Sequence, residues 1–70
     1  LIKLRHLYLR NNQISYLEND AFNELNNLIT LDISSNRIKI LDQRLFEKLE
    51  KIRFIHLSDN KLLKLKSSFQ

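Results

Sequence analysis

A 24-residue beat constrains this chain more than any other feature it carries. Leu4-x-x-Leu7-x-Leu9-x-x-Asn12-x-Ile14-x-x-Leu17 recurs as Leu28-x-x-Leu31-x-Ile33-x-x-Asn36-x-Ile38-x-x-Leu41. It returns as Ile52-x-x-Ile55-x-Leu57-x-x-Asn60-x-Leu62-x-x-Leu65. Self-similarity at a fixed period signals a solenoid, because one unit cannot bury its apolar side alone and must stack on a neighbour. The expected fold class is an α/β solenoid, with short parallel strands on one face and irregular, 3-10 or helical segments returning on the other. Units that run the same programme in the same direction pair their strands in parallel, through right-handed connections.

The phase of the repeat also divides the chain. Residues 1–3 read as the end of a preceding repeat, since Leu1 shares its phase with Leu25 and Leu49. Residues 4–27 and 28–51 form two full units, and 52–70 an incomplete third. One partial solenoid is expected, an internal slice of a longer protein.

Within the first unit, His6 to Arg10 alternate in polarity with the period of a half-buried strand. Leu7 and Leu9 are predicted to face inward, and His6, Tyr8 and Arg10 outward. Beyond Asn12 the spacing loosens through Ile14, Leu17, Phe22 and Leu25, which predicts a helical or 3-10 turn near 19–25. Phe22 and Phe46 share a phase and are expected to stack as a spine, whereas Phe69 arrives one residue early. Asn12, Asn36 and Asn60 follow each strand where the chain bends inward. An amide side chain there can both donate to and accept from backbone groups left unpaired by the bend, so the three are expected to form a structural ladder.

Composition removes several chemistries. Without cysteine there is neither disulfide nor thiolate, and without glycine no phosphate-cradling loop. No apolar run reaches the length of a membrane span, so no membrane insertion by this segment is expected. The net charge of +4 is a mild basic bias. No cofactor or metal is expected, because His6 and His56 lie two turns apart in different columns.

Stacked turns would align the outward positions in columns about 4.8 Å from turn to turn. The columns read His6–Thr30–Phe54, Tyr8–Asp32–His56 and Arg10–Ser34–Ser58. Aromatic, arginine and histidine side chains on a rigid sheet have the composition of a binding hot spot, and these nine positions are the ligand-binding candidates. Asp32 beside His56, with Ser34 and Ser58 one column over, superficially suggests a hydrolytic triad. Side-by-side placement on an open sheet supplies neither pocket nor oxyanion donors, so no enzyme is expected. Asp32 and His56 also suggest a pH-sensitive pair. A basic edge is expected from Arg37, Lys39, Lys61 and Lys64, suited to a sulfated glycan, a nucleic acid or an acidic protein.

The three copies carry the leucine-rich repeat motif, L-x-x-L-x-L-x-x-N-x-L-x-x-L. The chain resembles the 24-residue "typical" extracellular type, and in particular an internal segment of a Toll or Toll-like receptor ectodomain. Glu18, Asp42 and Lys66 stand where that subclass often places proline. The resemblance implies a right-handed superhelix whose strand-lined concave face binds a protein ligand. It further implies a secreted or membrane-anchored location and an innate-immune or adhesion role. The rival readings are structural spacer repeats and a cytoplasmic scaffold, with glycosaminoglycan or nucleic-acid binding third.

Overall fold

The computed structural model describes residues 3–66, so the expectations placed on Leu1 and Phe69 lie outside the described residues. Five three-residue strands and one short helix follow in order. They are β1 (His6–Tyr8), β2 (Thr30–Asp32), β3 (Ile40–Asp42), the 3-10 helix η1 (Gln43–Phe46), β4 (Phe54–His56) and β5 (Lys64–Lys66). The first ladder runs β1-β2-β4, all parallel, with Leu7 beside Leu31 and Leu31 beside Ile55. Equivalent positions of successive units thus stand side by side, in the register set by the period. Each strand is shorter than the alternation suggests, but the ladder continues past it. Leu9 N–H donates to Asp32 C=O at 2.7 Å and Ile33 N–H to His56 C=O at 3.0 Å.

The interior is centred on the second turn. Leu28, Leu31, Ile33 and Ile38 are wholly buried at 0% exposure, joined by Phe22, Leu41, Leu45 and Leu49. Leu7, Leu9, Ile14, Leu17 and Leu57 pack against this cluster from either side. Among the described residues only the second turn has neighbours on both sides. Leu65, which shares the phase of Leu41, is accordingly 67% exposed.

The return segments differ between units. In the first, successive i to i+3 turns run through it, with Ala21 N–H on Glu18 C=O and Leu25 N–H on Phe22 C=O. In the second, the Asp42 carboxylate accepts from Arg44 N–H at 3.0 Å and caps η1. A capping side chain of this kind satisfies a helix-end donor that has no intrahelical partner. The expected Phe22–Phe46 stack is not formed as a ring pair. Among the described residues the ring contact is His6–Tyr8, while Phe22 sits in the core and Phe46 packs against it half-buried.

The asparagines tie turn to turn. Asn36 Nδ2 donates to Ile33 C=O and Ser34 C=O of its own turn, and to Leu9 C=O of the first at 2.9 Å. Its Oδ1 accepts from Ile14 N–H at 3.2 Å. Asn60 repeats the pattern on Leu57, Ser58 and Ile33 carbonyls and on Ile38 N–H. Asn12 is exposed and donates only to Leu9 and Arg10 of its own turn.

Just before each asparagine the backbone turns left-handed, at Asn11 (φ 57°), Ser35 (φ 56°) and Asp59 (φ 57°). Asparagine and aspartate tolerate this region better than other residues with a Cβ. Serine has less of that tolerance. Ser35→Asn is expected to raise stability by about 0.5 kcal/mol, and Ser35→Val to lower it by about 1–2 kcal/mol. Urea midpoints at unchanged m-value would measure both. A valine variant as stable as wild type would contradict the strain at this position.

Candidate functional site

The ladder's outward face separates into an accessible row and a buried floor. Tyr8 is 63% exposed and Phe54 54%, and His6, Arg10, His56 and Ser58 are exposed as well. His6 and Tyr8 project from the same side of β1, their rings 6.4 Å apart and 12° from parallel. Each therefore restricts the other, and the pair presents a semi-rigid aromatic shelf.

Thr30, Asp32 and Ser34, which the alternation marks as outward, are buried in the structure. They are small side chains of the central turn, which has a neighbouring strand on either side. They form the floor of this face rather than its accessible row. Ser58 Oγ donates to Ser34 Oγ at 3.3 Å, linking two turns through small hydroxyls.

Asp32, only 6% exposed, anchors the floor. Its Oδ1 accepts from Ser34 N–H at 3.0 Å, and Arg10 approaches its Oδ2 at 3.5 Å. That ion pair is long and half-solvated, so it orients Arg10 more than it stabilises the fold. Burial pushes the Asp32 carboxyl up. The hydroxyl and amide of Ser34, then the charges of Arg10 and His56, outweigh burial and hold it below its ordinary 3.8.

A carboxyl depressed on folding contributes stability above its ordinary value, and that contribution is lost as pH falls through the folded-state value. Asp32→Asn keeps an oxygen for Ser34 N–H and is expected to flatten the acid limb of the stability–pH curve. Urea midpoints across acid pH would measure this, and an unaltered acid slope would contradict it.

Asp32 and His56 are register partners, yet the two carboxylate oxygens are engaged by Ser34 and Arg10. No hydrogen bond joins His56 to Asp32, Ser34 or Ser58 among the described residues, so a nucleophile–base–acid relay is not assembled there. Nor does any group of three acidic, histidine or cysteine side chains gather as a metal site among them.

The basic residues fall on a flank that sequence spacing had only half resolved. Arg37 N–H donates to Ile14 C=O at 2.8 Å and Lys61 N–H to Ile38 C=O at 3.1 Å, so these two occupy equivalent edge positions. Lys64 sits on β5, opposite Ile40 of β3, in a second parallel ladder that the motif leucines do not announce. Asp42 and Arg44 form a fork there, with Nη2 on Oδ2 at 2.8 Å and Nε on Oδ1 at 3.2 Å. The hydrogen bond and charge of Asp42 raise the Arg44 guanidinium further. Tyr16, Ile40 and Leu63 are exposed on this flank. The available signal was the recurring residue just before the motif's last leucine, Tyr16–Ile40–Lys64, whose weight is invisible when only the leucines are counted.

Parallel strands recurring once per unit, asparagines bonding between units and a row of exposed side chains are the features of a repeat protein. The leucine rich repeat family model matches residues 2–62, and the chain belongs to that family. It is 37% identical to prolargin of Bos taurus over 60 residues, which is 86% of this chain and 16% of prolargin. It is 37% identical to leucine-rich repeat-containing protein 3B of Homo sapiens over 57 residues, covering 80% of this chain and 22% of that protein. With lumican of Homo sapiens the identity is 33% over 61 residues, covering 84% of this chain and 18% of lumican. The chain thus spans less than a quarter of the length of these relatives. No solved structure gives a significant match. Prolargin and lumican are secreted proteins of the extracellular matrix, and the location of this chain is extracellular. That displaces the cytoplasmic scaffold reading.

Proposed function

We propose that this segment is a protein-recognition module that uses the outward face of the β1-β2-β4 ladder. The observation that carries the reading is the pairing of an exposed aromatic shelf, His6 and Tyr8, with exposed Phe54 two strands away. Rigid aromatics beside an arginine are frequent anchors of protein interfaces. Arg10 retains most of its donors, because its contact with Asp32 is single and long. Sulfated glycan and nucleic acid fit this face less well, since both call for several cations and Arg10 is the one arginine among its nine candidate positions.

Relatives of the matrix type favour a matrix or adhesion role over an innate-immune receptor of the Toll type. The spacer reading predicts instead that no outward residue matters for binding.

A photo-crosslinking residue placed at position 8 of the full-length protein is expected to yield a discrete protein adduct in extracellular-matrix extract. Unlabelled protein should compete the adduct away, and Phe54→Asp should abolish it. The same label at Gln43, on the return segment, should not give that adduct. Identical adducts from both positions would favour the spacer reading.

A further inference from the structure

The two inter-turn seams on the flank are not alike. Between the second and third turns the backbone is zipped, with Lys61 N–H on Ile38 C=O, Leu63 N–H on Lys39 C=O at 2.8 Å, and β3 paired with β5. Between the first and second turns Arg37 N–H on Ile14 C=O is the last backbone bond along that flank among the described residues. No strand forms at 16–18 to pair with β3.

Residue types account for the difference. Asp42 has Lys66 as its register partner below, whereas the equivalent residue above is Glu18. Closing the upper seam would set two carboxylates side by side, and like charges directly opposite are destabilising. The seam stays parted as an open cleft of about 210 Å³ lined by Tyr16, Leu17, Asn19, Ile40 and Asp42.

The cleft is apolar where it meets solvent, with Tyr16 68% exposed and Ile40 48%. The Asp42 carboxylate on its wall is held in the Arg44 fork. Cations border it. Lys39 precedes Ile40 in the chain, Lys64 is its register partner, and Arg37 and Lys61 hold the edge beside Ile38. All four are exposed, and none forms an ion pair among the described residues. Glu18 and Asp42 follow Leu17 and Leu41 at the other end of the cleft, so its Arg37–Lys39–Lys64 side is complementary to negative charge and its lining to one apolar side chain.

We propose that this flank docks an acidic polypeptide segment, whose aromatic or branched aliphatic residue enters the Tyr16–Ile40 cleft while neighbouring carboxylates meet Arg37, Lys39 and Lys64. A sulfated glycan would satisfy the cations but leave the apolar lining in water, so the combination selects a peptide. The surface is separate from the outward ladder face, and its fate does not depend on the reading of that face.

The test uses full-length protein and three fluorescent probes in an anisotropy titration: an acidic peptide with one central phenylalanine, its central-serine analogue and a heparin oligosaccharide. The phenylalanine peptide is expected to bind at least about tenfold more tightly than the serine analogue, with affinity falling as salt rises. Tyr16→Ala and Lys64→Ser should each weaken it by about tenfold, both being exposed substitutions that leave the core untouched. Lys48→Ser, which removes an equal charge from the return segment, should leave affinity as it is. Equal affinity for the two peptides, tighter binding of heparin, equal loss in Lys48→Ser, or no peptide binding would each overturn the proposal.

Discussion

Asn36→Ala is expected to destabilise the protein by about 3–5 kcal/mol. The buried Asn36 amide answers three carbonyls, Leu9, Ile33 and Ser34, and one N–H, Ile14. Alanine strands groups that water reaches poorly, at about 1–3 kcal/mol each, with the sum reduced because the turn can relax.

Amide exchange of the full-length protein locates the effect. In Asn36→Ala the Ile14 N–H loses its acceptor and should exchange much faster, while Ile38 N–H, held by Asn60 Oδ1 at 3.0 Å, should be affected less. Equal acceleration at both amides would mean that the asparagine acts on global folding alone. A cost below about 1 kcal/mol for Asn36→Ala would sink the idea of a bridge between turns.

Leu31→Ala should cost about 3–5 kcal/mol, because the side chain has no exposure and sits at the centre of the parallel ladder. Its neighbours in register, Leu7 and Ile55, are fixed by their own backbone bonds, so the vacated space collapses poorly. Leu31→Ile is the matched control. Isoleucine already fills this phase at Ile55, the volume is conserved, and the expected cost is below about 1.5 kcal/mol. Urea unfolding of both variants separates the two causes. If Leu31→Ile proved as damaging as Leu31→Ala, shape rather than cavity formation would dominate this core. A cost below about 1 kcal/mol for alanine would mean that the turns do not share one interior.

The agreement between sequence and structure is uneven for physical reasons. Side-chain period two and unit period 24 together specify both which residues face inward and which stand opposite one another. The pairing of Leu7, Leu31 and Ile55 was therefore legible before any coordinates. The bonding of Asn36 was partly legible: its own turn could be inferred from the bend, its reach to Leu9 and Ile14 could not. The return segments were least legible. Their apolar spacing suits several turn types, and whether a 3-10 helix forms at Gln43–Phe46 depends on a cap by Asp42 that Glu18 does not reproduce as a helix in the first unit.

The candidate site divides in the same way. Exposure of Tyr8, His6 and Phe54 follows from alternation alone. Burial of Thr30, Asp32 and Ser34 does not, since alternation reports direction and not the height of the neighbours on either side. The flank was hidden for a related reason. Its ladder and its parted seam depend on which residues meet in register one full unit apart, Ile40 with Lys64 among them, a relation that exists only once the turns are stacked.

What the sequence by itself determined is thus the winding: a periodic apolar code can be buried in one way, by stacking equal units in parallel. What only the tertiary structure decided is which outward residues remain reachable and which seam stays open. Both depend on charge and bulk meeting across neighbouring turns, a relation that no single unit contains.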